Sequence, residues 1–165
     1  MSELKYVLDA NVLIEAARRY YAFDIAPPFW VGLCQHCTNG RVMSIDRVQA
    51  ELMKGKDDLS RWAANDFSAA FISTDEQRVI ESFSEIMRWV QAQAQYLDAA
   101  KANFAAGADG WLVADTRVTG HTVVTHEIPS PTARRKIPIP NVCINYGVPF
   151  MDTFGMLRDL GVRFR

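Results

Sequence analysis

Four carboxylates stand where an apolar run gives way to a helix or a loop. In "YVLDANVLIE" the run Tyr6-Val7-Leu8 stops at Asp9. Glu51 lies in "SIDRVQAEL", in the second turn of the helix that leaves another apolar run. Asp109 opens the helical stretch of "ADGWLVADTRVTG", and Glu127 closes "TVVTHE". Taken alone, the last three have ordinary explanations: Asp109 can cap a helix, Glu51 can be a solvated helix residue, and Glu127 a surface acid in a loop. Gathered in one cleft, the four would repel, and at least one would keep its proton unless a cation stood among them. Carboxylate oxygens are hard donors suited to Mg²⁺ or Mn²⁺. Ions so held bind phosphate, lower the pKa of water and stabilise in-line displacement, so the chemistry indicated is hydrolysis of a phosphodiester.

Smaller polar groups surround these acids in the chain. Asn11, two residues past Asp9, is left to cap the first helix if Asp9 faces the cleft. Thr125 can hold a carboxylate by hydrogen bond, while His126 reads equally well as a loop histidine. "ARRK" (Arg134, Arg135 and Lys136) forms a basic loop that can bind RNA phosphates or merely aid solubility, and Arg18 and Arg19 are a second basic pair. Asp46 with Gln49 has the form of a capping box. Asp115, six residues after Asp109, should face away from it because six is not a helical repeat. Cys34 and Cys37 have C-x-x-C spacing, but the third cysteine, Cys143, stands alone, so a packing role is expected rather than zinc or redox chemistry.

The elements that must position these groups alternate. "KYVLD" reads as a strand buried on both faces, followed by a helix from about Val12 to Tyr20. A helix over Phe29–Thr38 ends at Asn39-Gly40. "RVMSI" is a second strand, and "DRVQAELMKG" a helix that Gly55 can terminate. Val79, Ile80, Phe83, Ile86, Met87 and Val90 recur at helical spacing and should face a core. An alanine-rich helix runs through Leu97, Ala100, Phe104 and Ala105. A helix then runs from Asp109 to Gly120, before the β-branched strand in "HTVVTHE". "IPSPTARRKIPIP" is a proline-broken loop, "NVCINYG" a last strand, and "MDTFGMLRDLG" a helix that Asp152 can cap. Strands alternating with helices predict an α/β fold with a mainly parallel sheet, where ligands bind beyond the carboxyl ends of the strands.

Bulk properties set the frame. With 165 residues, 49% of them hydrophobic, the chain can bury a core as a single domain over 1–165, and disorder is excluded. A net charge of −1 provides no global attraction for nucleic acid, so any such binding must be local. An odd cysteine count and no signal-like start imply a reducing cytoplasm. No apolar run approaches the roughly 20 residues of a membrane span. Phe29, Trp30, Trp62 and Trp89 can serve either a core or a subunit interface.

The four blocks "VLDANVLIEA", "SIDRVQAEL", "ADGWLVADTRVTG" and "TVVTHE" together resemble the successive blocks of a PIN domain, closest to prokaryotic VapC-type toxins. The similarity spans nearly the whole chain, up to "IPNVCINYGVPF". It implies a three-layer α/β/α sandwich and a metal-dependent endoribonuclease, the toxin of a toxin–antitoxin pair, acting on RNA with Mg²⁺ or Mn²⁺. It further implies an antitoxin partner laid across the cleft, and a homodimer. Asp9, Glu51 and Asp109 match the family's acids and Asn11 its polar partner. In the last block the family more often has Thr-x-Asp or Thr-x-Asn; here Thr125-His126-Glu127 makes the fourth ligand one methylene longer. That departure leaves open a second reading, an RNA- or protein-binding module with weak or lost nuclease activity. Sites built on Asp-x-Asp, G-x-G-x-x-G or a P-loop are not matched.

Overall fold

The computed structural model describes residues 3–164. Its centre is β1 (Tyr6–Leu8), three residues without accessible surface. Such a strand has no solvent face, which is why its sequence shows no alternation. β1 pairs in parallel with β2 (Val42–Ile45) on one side and β4 (Thr122–Val124) on the other. β3 (Phe71–Ile72) extends the sheet beyond β2, and β5 (Phe150–Met151) beyond β4, giving the parallel order β3-β2-β1-β4-β5. With its flanking helices the sheet is an α/β/α sandwich. The chain starts at the centre, builds outward through β2 and β3, then returns to build on the opposite side. The strand order therefore reverses between β1 and β4, the switch point where open α/β sheets bind ligands.

Local signals account for most helix ends. α1 (Ala10–Glu15) continues as a π-helical turn through Tyr20. α2 (Pro27–Thr38) starts two residues earlier than expected, because proline is tolerated in a first helical turn, where the N–H has no partner anyway. α3 (Asp46–Met53) is followed by α4 (Asp58–Ala64), which Asp57 and Ser60 cap reciprocally. α5 (Gln77–Ala92) and α6 (Asp98–Ala106) lead to α7 (Asp109–Thr119), closed by Gly120 at φ 78°. α8 (Ile139–Tyr146) and α9 (Thr153–Leu160) complete the chain, the latter capped by Asp152 on Gly155 N–H at 2.8 Å. The Tyr6 hydroxyl donates to Asp159, which also takes Arg41 at 2.9 Å, tying β1 to α9.

Three expectations need correction. "NVCINYG" is helical, within α8: Ile139, Val142 and Cys143 are buried at helical spacing, and the last strand is Phe150–Met151. Asp46 makes no capping box, being the first residue of α3; its carboxylate instead accepts from Thr74 N–H at 3.2 Å and Thr74 Oγ1 at 2.8 Å. Ile80 does not face the core but is 38% exposed. Phe29, Trp30 and Trp62 are core residues, and Trp89, Cys34 and Cys37 pack against that core while partly exposed. Among the described residues no helix is long and apolar enough to cross a membrane.

Candidate active site

Asp9 ends β1 in an extended conformation, and its carboxylate turns back onto the helix that follows. Oδ1 accepts from Asn11 N–H at 3.4 Å, so Asp9 is the N-cap of α1 and Asn11, expected to cap, lies exposed inside the helix. The residue at the seam has the extended backbone that a cap requires. Oδ2 accepts from Thr125 Oγ1 at 3.1 Å, in the loop after β4. One carboxylate, 2% exposed, thus joins both sides of the switch point.

Thr125 Oγ1 in turn accepts from Glu127 N–H at 3.1 Å, which fixes the start of the next loop. Glu127 Oε1 accepts from Ile139 N–H at 3.3 Å, at the N-terminus of α8, and stands 3.1 Å from Lys136 Nζ. Its other oxygen, Oε2, is buried without a hydrogen-bond partner. On α3, Glu51 Oε1 accepts from Ala108 N–H at 3.1 Å. Ala108 is the residue from which α7 starts, so this bond sets Glu51 beside Asp109, the first residue of that helix. Gly110 lets α7 approach α5, since a Cβ there would stand 2.8 Å from Met87 Cε and 3.1 Å from Phe83 Cε2.

The electrostatics bind the four acids into one group. Burial, and then the charges of Asp109 and Glu127, push the Asp9 carboxyl up to about 7. Asp109 is pushed up to about 6 by burial, then Glu127 and Glu51, with Lys136 opposing. A carboxyl raised in this way is short of positive charge. Asp115, by contrast, is pushed up to about 6 by burial and by Glu76 and Asp46, a different neighbourhood, as its spacing from Asp109 implied.

The cationic loop approaches from one flank. Arg135, Lys136 and Asp109 line a cavity of about 100 Å³, while the carbonyl of Arg134 accepts from Leu97 N–H at 2.9 Å and its side chain is exposed. On the other flank Arg18, Lys54 and Glu51 line a cleft of about 270 Å³. Arg19 pairs with Glu15 at 3.3 Å. A larger cavity of about 530 Å³, walled by Phe23, Trp30 and Trp62, contains none of the four acids and a single carboxylate, Asp66, so the carboxylate face is the better candidate.

The acids as they stand are not a finished cage: among the described residues no three His, Cys, Asp or Glu side chains form a ready ligand set. Glu51 and Glu127 each commit an oxygen to a backbone N–H. The donor set is nonetheless all oxygen, with raised carboxyls and an orphaned buried oxygen, a combination that fits a hard divalent cation. The Lys136 contact to Glu127 and the backbone N–H groups at Ala108 and Ile139 lay beyond sequence reasoning. The starts of α7 and α8 were the available signal, because first-turn N–H groups attract carboxylates.

The model of a family described as a domain of unknown function, DUF4411, matches residues 6–164. The chain belongs to that family. The DUF4411 match begins in β1 and extends past α9, so it contains Asp9, Glu51, Asp109, Thr125 and Glu127. No curated protein matches the sequence.

Proposed function

We propose that this DUF4411 protein is a metal-dependent endoribonuclease of PIN-like type. The observation that carries the reading is the convergence of Asp9, Asp109, Glu51 and Glu127 at the switch point, with Asp9 and Asp109 raised by burial and then by their acidic neighbours, and one Glu127 oxygen unpartnered. Asp9, Glu51, Asp109 and Glu127 are the side chains to hold one or two Mg²⁺ or Mn²⁺ ions. When bound, such an ion supplies Lewis-acid stabilisation of phosphate and a lowered pKa for water.

The chain's own groups do the rest. Thr125 orients Asp9 and fixes the backbone ahead of Glu127. Asn11 is exposed beside the Asp9 carboxylate, where its amide can meet solvent or substrate. Lys136 with Arg134 and Arg135 places positive charge on the phosphates flanking the scissile bond. The same acidic face suits the wider role implied by the resemblance: the toxin of a toxin–antitoxin pair, a cytoplasmic homodimer whose antitoxin lays a segment across the cleft and answers the carboxylates with an Arg or Lys.

The test compares wild type with Asp9→Asn on structured and unstructured RNA, in Mn²⁺, Mg²⁺ or EDTA. Cleavage that requires metal and disappears in the variant is the expected result. Equal cleavage by both proteins would refute the site. One observation favours a second reading, a binding module with weak or lost cleavage: Lys136 and Ile139 N–H already share Oε1 of Glu127, and the Lys136 ammonium supplies positive charge where a metal would. Folded wild type that binds RNA but leaves it intact in every metal would establish that alternative.

A further inference from the structure

The first helix does not finish as an α-helix. From Ala16 to Tyr20 it widens into a π-helical turn, a geometry that is rare and concentrated at functional positions. Two successive tyrosines part company at its end. Tyr21 turns into the molecule and stacks on Phe29, with centroids 4.5 Å apart and planes at 16°. Tyr20 stays 54% exposed, with its ring 6.0 Å from that of His126 at 49°. His126 Nε2 lies 3.2 Å from Thr153 Oγ1, which supports the imidazole from α9.

The position of this ring pair gives it meaning. His126 lies between Thr125, which holds Asp9, and Glu127. Successive Cα atoms are about 3.8 Å apart, so the backbone beneath the His126 ring adjoins that of Thr125 and Glu127. Arg18, two residues before Tyr20 and so on a different side of the turn, is exposed and lines the cleft that contains Glu51. Of the two, the ring of Tyr20 is the one set against the loop that carries Thr125 and Glu127. Rings 6.0 Å apart leave no room for a base between them, since a sandwich needs about 7 Å, two van der Waals spacings. The Tyr21 ring stands 6.4 Å from that of Tyr20 and the His126 ring 6.0 Å, and the 54% of Tyr20 left exposed is the surface a base can meet.

We propose that Tyr20, supported by His126, is a nucleobase-stacking subsite that seats an unpaired nucleotide of the substrate at the edge of the carboxylate face. The subsite rests on the nuclease reading. Every base offers a π-face, so the subsite tolerates sequence, but a base already stacked in a duplex cannot reach it.

The test measures binding of a short single-stranded RNA carrying 2-aminopurine, by anisotropy and by 2-aminopurine fluorescence, to Asp9→Asn protein alone and with Tyr20→Ala or Tyr20→Phe added. A duplex of the same sequence is the control. Stacking predicts that Tyr20→Ala weakens single-strand binding about 5- to 150-fold and removes the fluorescence quenching, while Tyr20→Phe stays within about twofold. Circular dichroism confirms that each variant is folded. Unchanged binding by Tyr20→Ala, or equal losses in Ala and Phe, would overturn the subsite. If wild type still cleaves RNA in a metal- and Asp9-dependent way, only the subsite falls; if it neither binds nor cleaves RNA, the nuclease reading falls with it.

Discussion

Thr125 Oγ1 donates to Asp9 Oδ2 at 3.1 Å, tying the end of β4 to the end of β1 where the strand order reverses. The same hydroxyl accepts from Glu127 N–H, so a single side chain of 2% exposure aligns two of the four acids. Thr125→Val keeps the shape and deletes both bonds, leaving a buried carboxylate oxygen and a backbone N–H unpaired. Each such loss costs about 1–3 kcal/mol, which corresponds to a fall in Tm of roughly 3–10 °C for a chain of this size. Nuclease activity should fall by about tenfold or more. Thr125→Ser restores the hydroxyl, so thermal melts and cleavage rates should both recover most of the loss. A Thr125→Val protein as stable and active as wild type would contradict the arrangement.

The raised acids make stability depend on pH with a defined sign. Asp9 is held at about 7, Asp109 and Asp115 at about 6, all above the ordinary carboxylate range near 4. The folded protein therefore binds more protons than the unfolded chain between these limits. The stabilising contribution is fully present below about pH 4 and is lost as pH rises through 6 to 7. In EDTA the protein should melt lower at pH 8 than at pH 5. Asp115→Asn removes one of these buried charges without touching the four site acids, and should gain on the order of 1 kcal/mol at pH 8 and about half of that at pH 5. Urea denaturation at the two pH values measures both effects; a flat profile would remove the electrostatic account of the site.

How much of this was legible in the sequence depended on the range of the interaction. Asp9, Asp109 and Gly120 sit at sharp boundaries between apolar and polar patterns, and the elements around them lie where those patterns put them. β3 and β5 contain two residues each, too few to show a period. The apolar run inside α8 has a length that suits a strand as well as a helix, and only its burial at Ile139, Val142 and Cys143 separates the two. Asp46 matched a local capping pattern, but Thr74, on the far side of β3, offers its carboxylate a better pair of donors. The ion pair between Lys136 and Glu127 follows from the path of a loop, which no local spacing records.

Gly110 was not singled out by any sequence pattern, yet the position of Asp109 depends on it. A methyl group there would meet Met87 Cε at 2.8 Å, Phe83 Cε2 at 3.1 Å and Phe104 Cε1 at 3.2 Å. The methionine end can swing away. Phe83 is less free, because it stacks on Trp111 with centroids 3.8 Å apart. Gly110→Ala should therefore push α7 from α5, costing about 1–3 kcal/mol as overpacking despite the better helix propensity of alanine. Chemical denaturation measures this cost. Because Asp109 is the adjoining residue, cleavage should decline even at temperatures where the variant remains folded.

Lys136 places a cation in the acidic group, 3.1 Å from Glu127 Oε1 and near enough to Asp109 to oppose its raised pKa. Lys136→Met retains the aliphatic stem and deletes the charge. A divalent ion then meets no competing ammonium at Glu127, so Mn²⁺ affinity measured by calorimetry at pH 8 should rise severalfold. RNA loses a phosphate contact, so its affinity should fall, and the slope of log K against log salt should shrink by about 0.7. Opposite signs for the two ligands separate this role from general damage to the fold, which would weaken both. If neither affinity moves, Lys136 is a solvated residue that only touches Glu127, and the basic loop has no part in holding substrate.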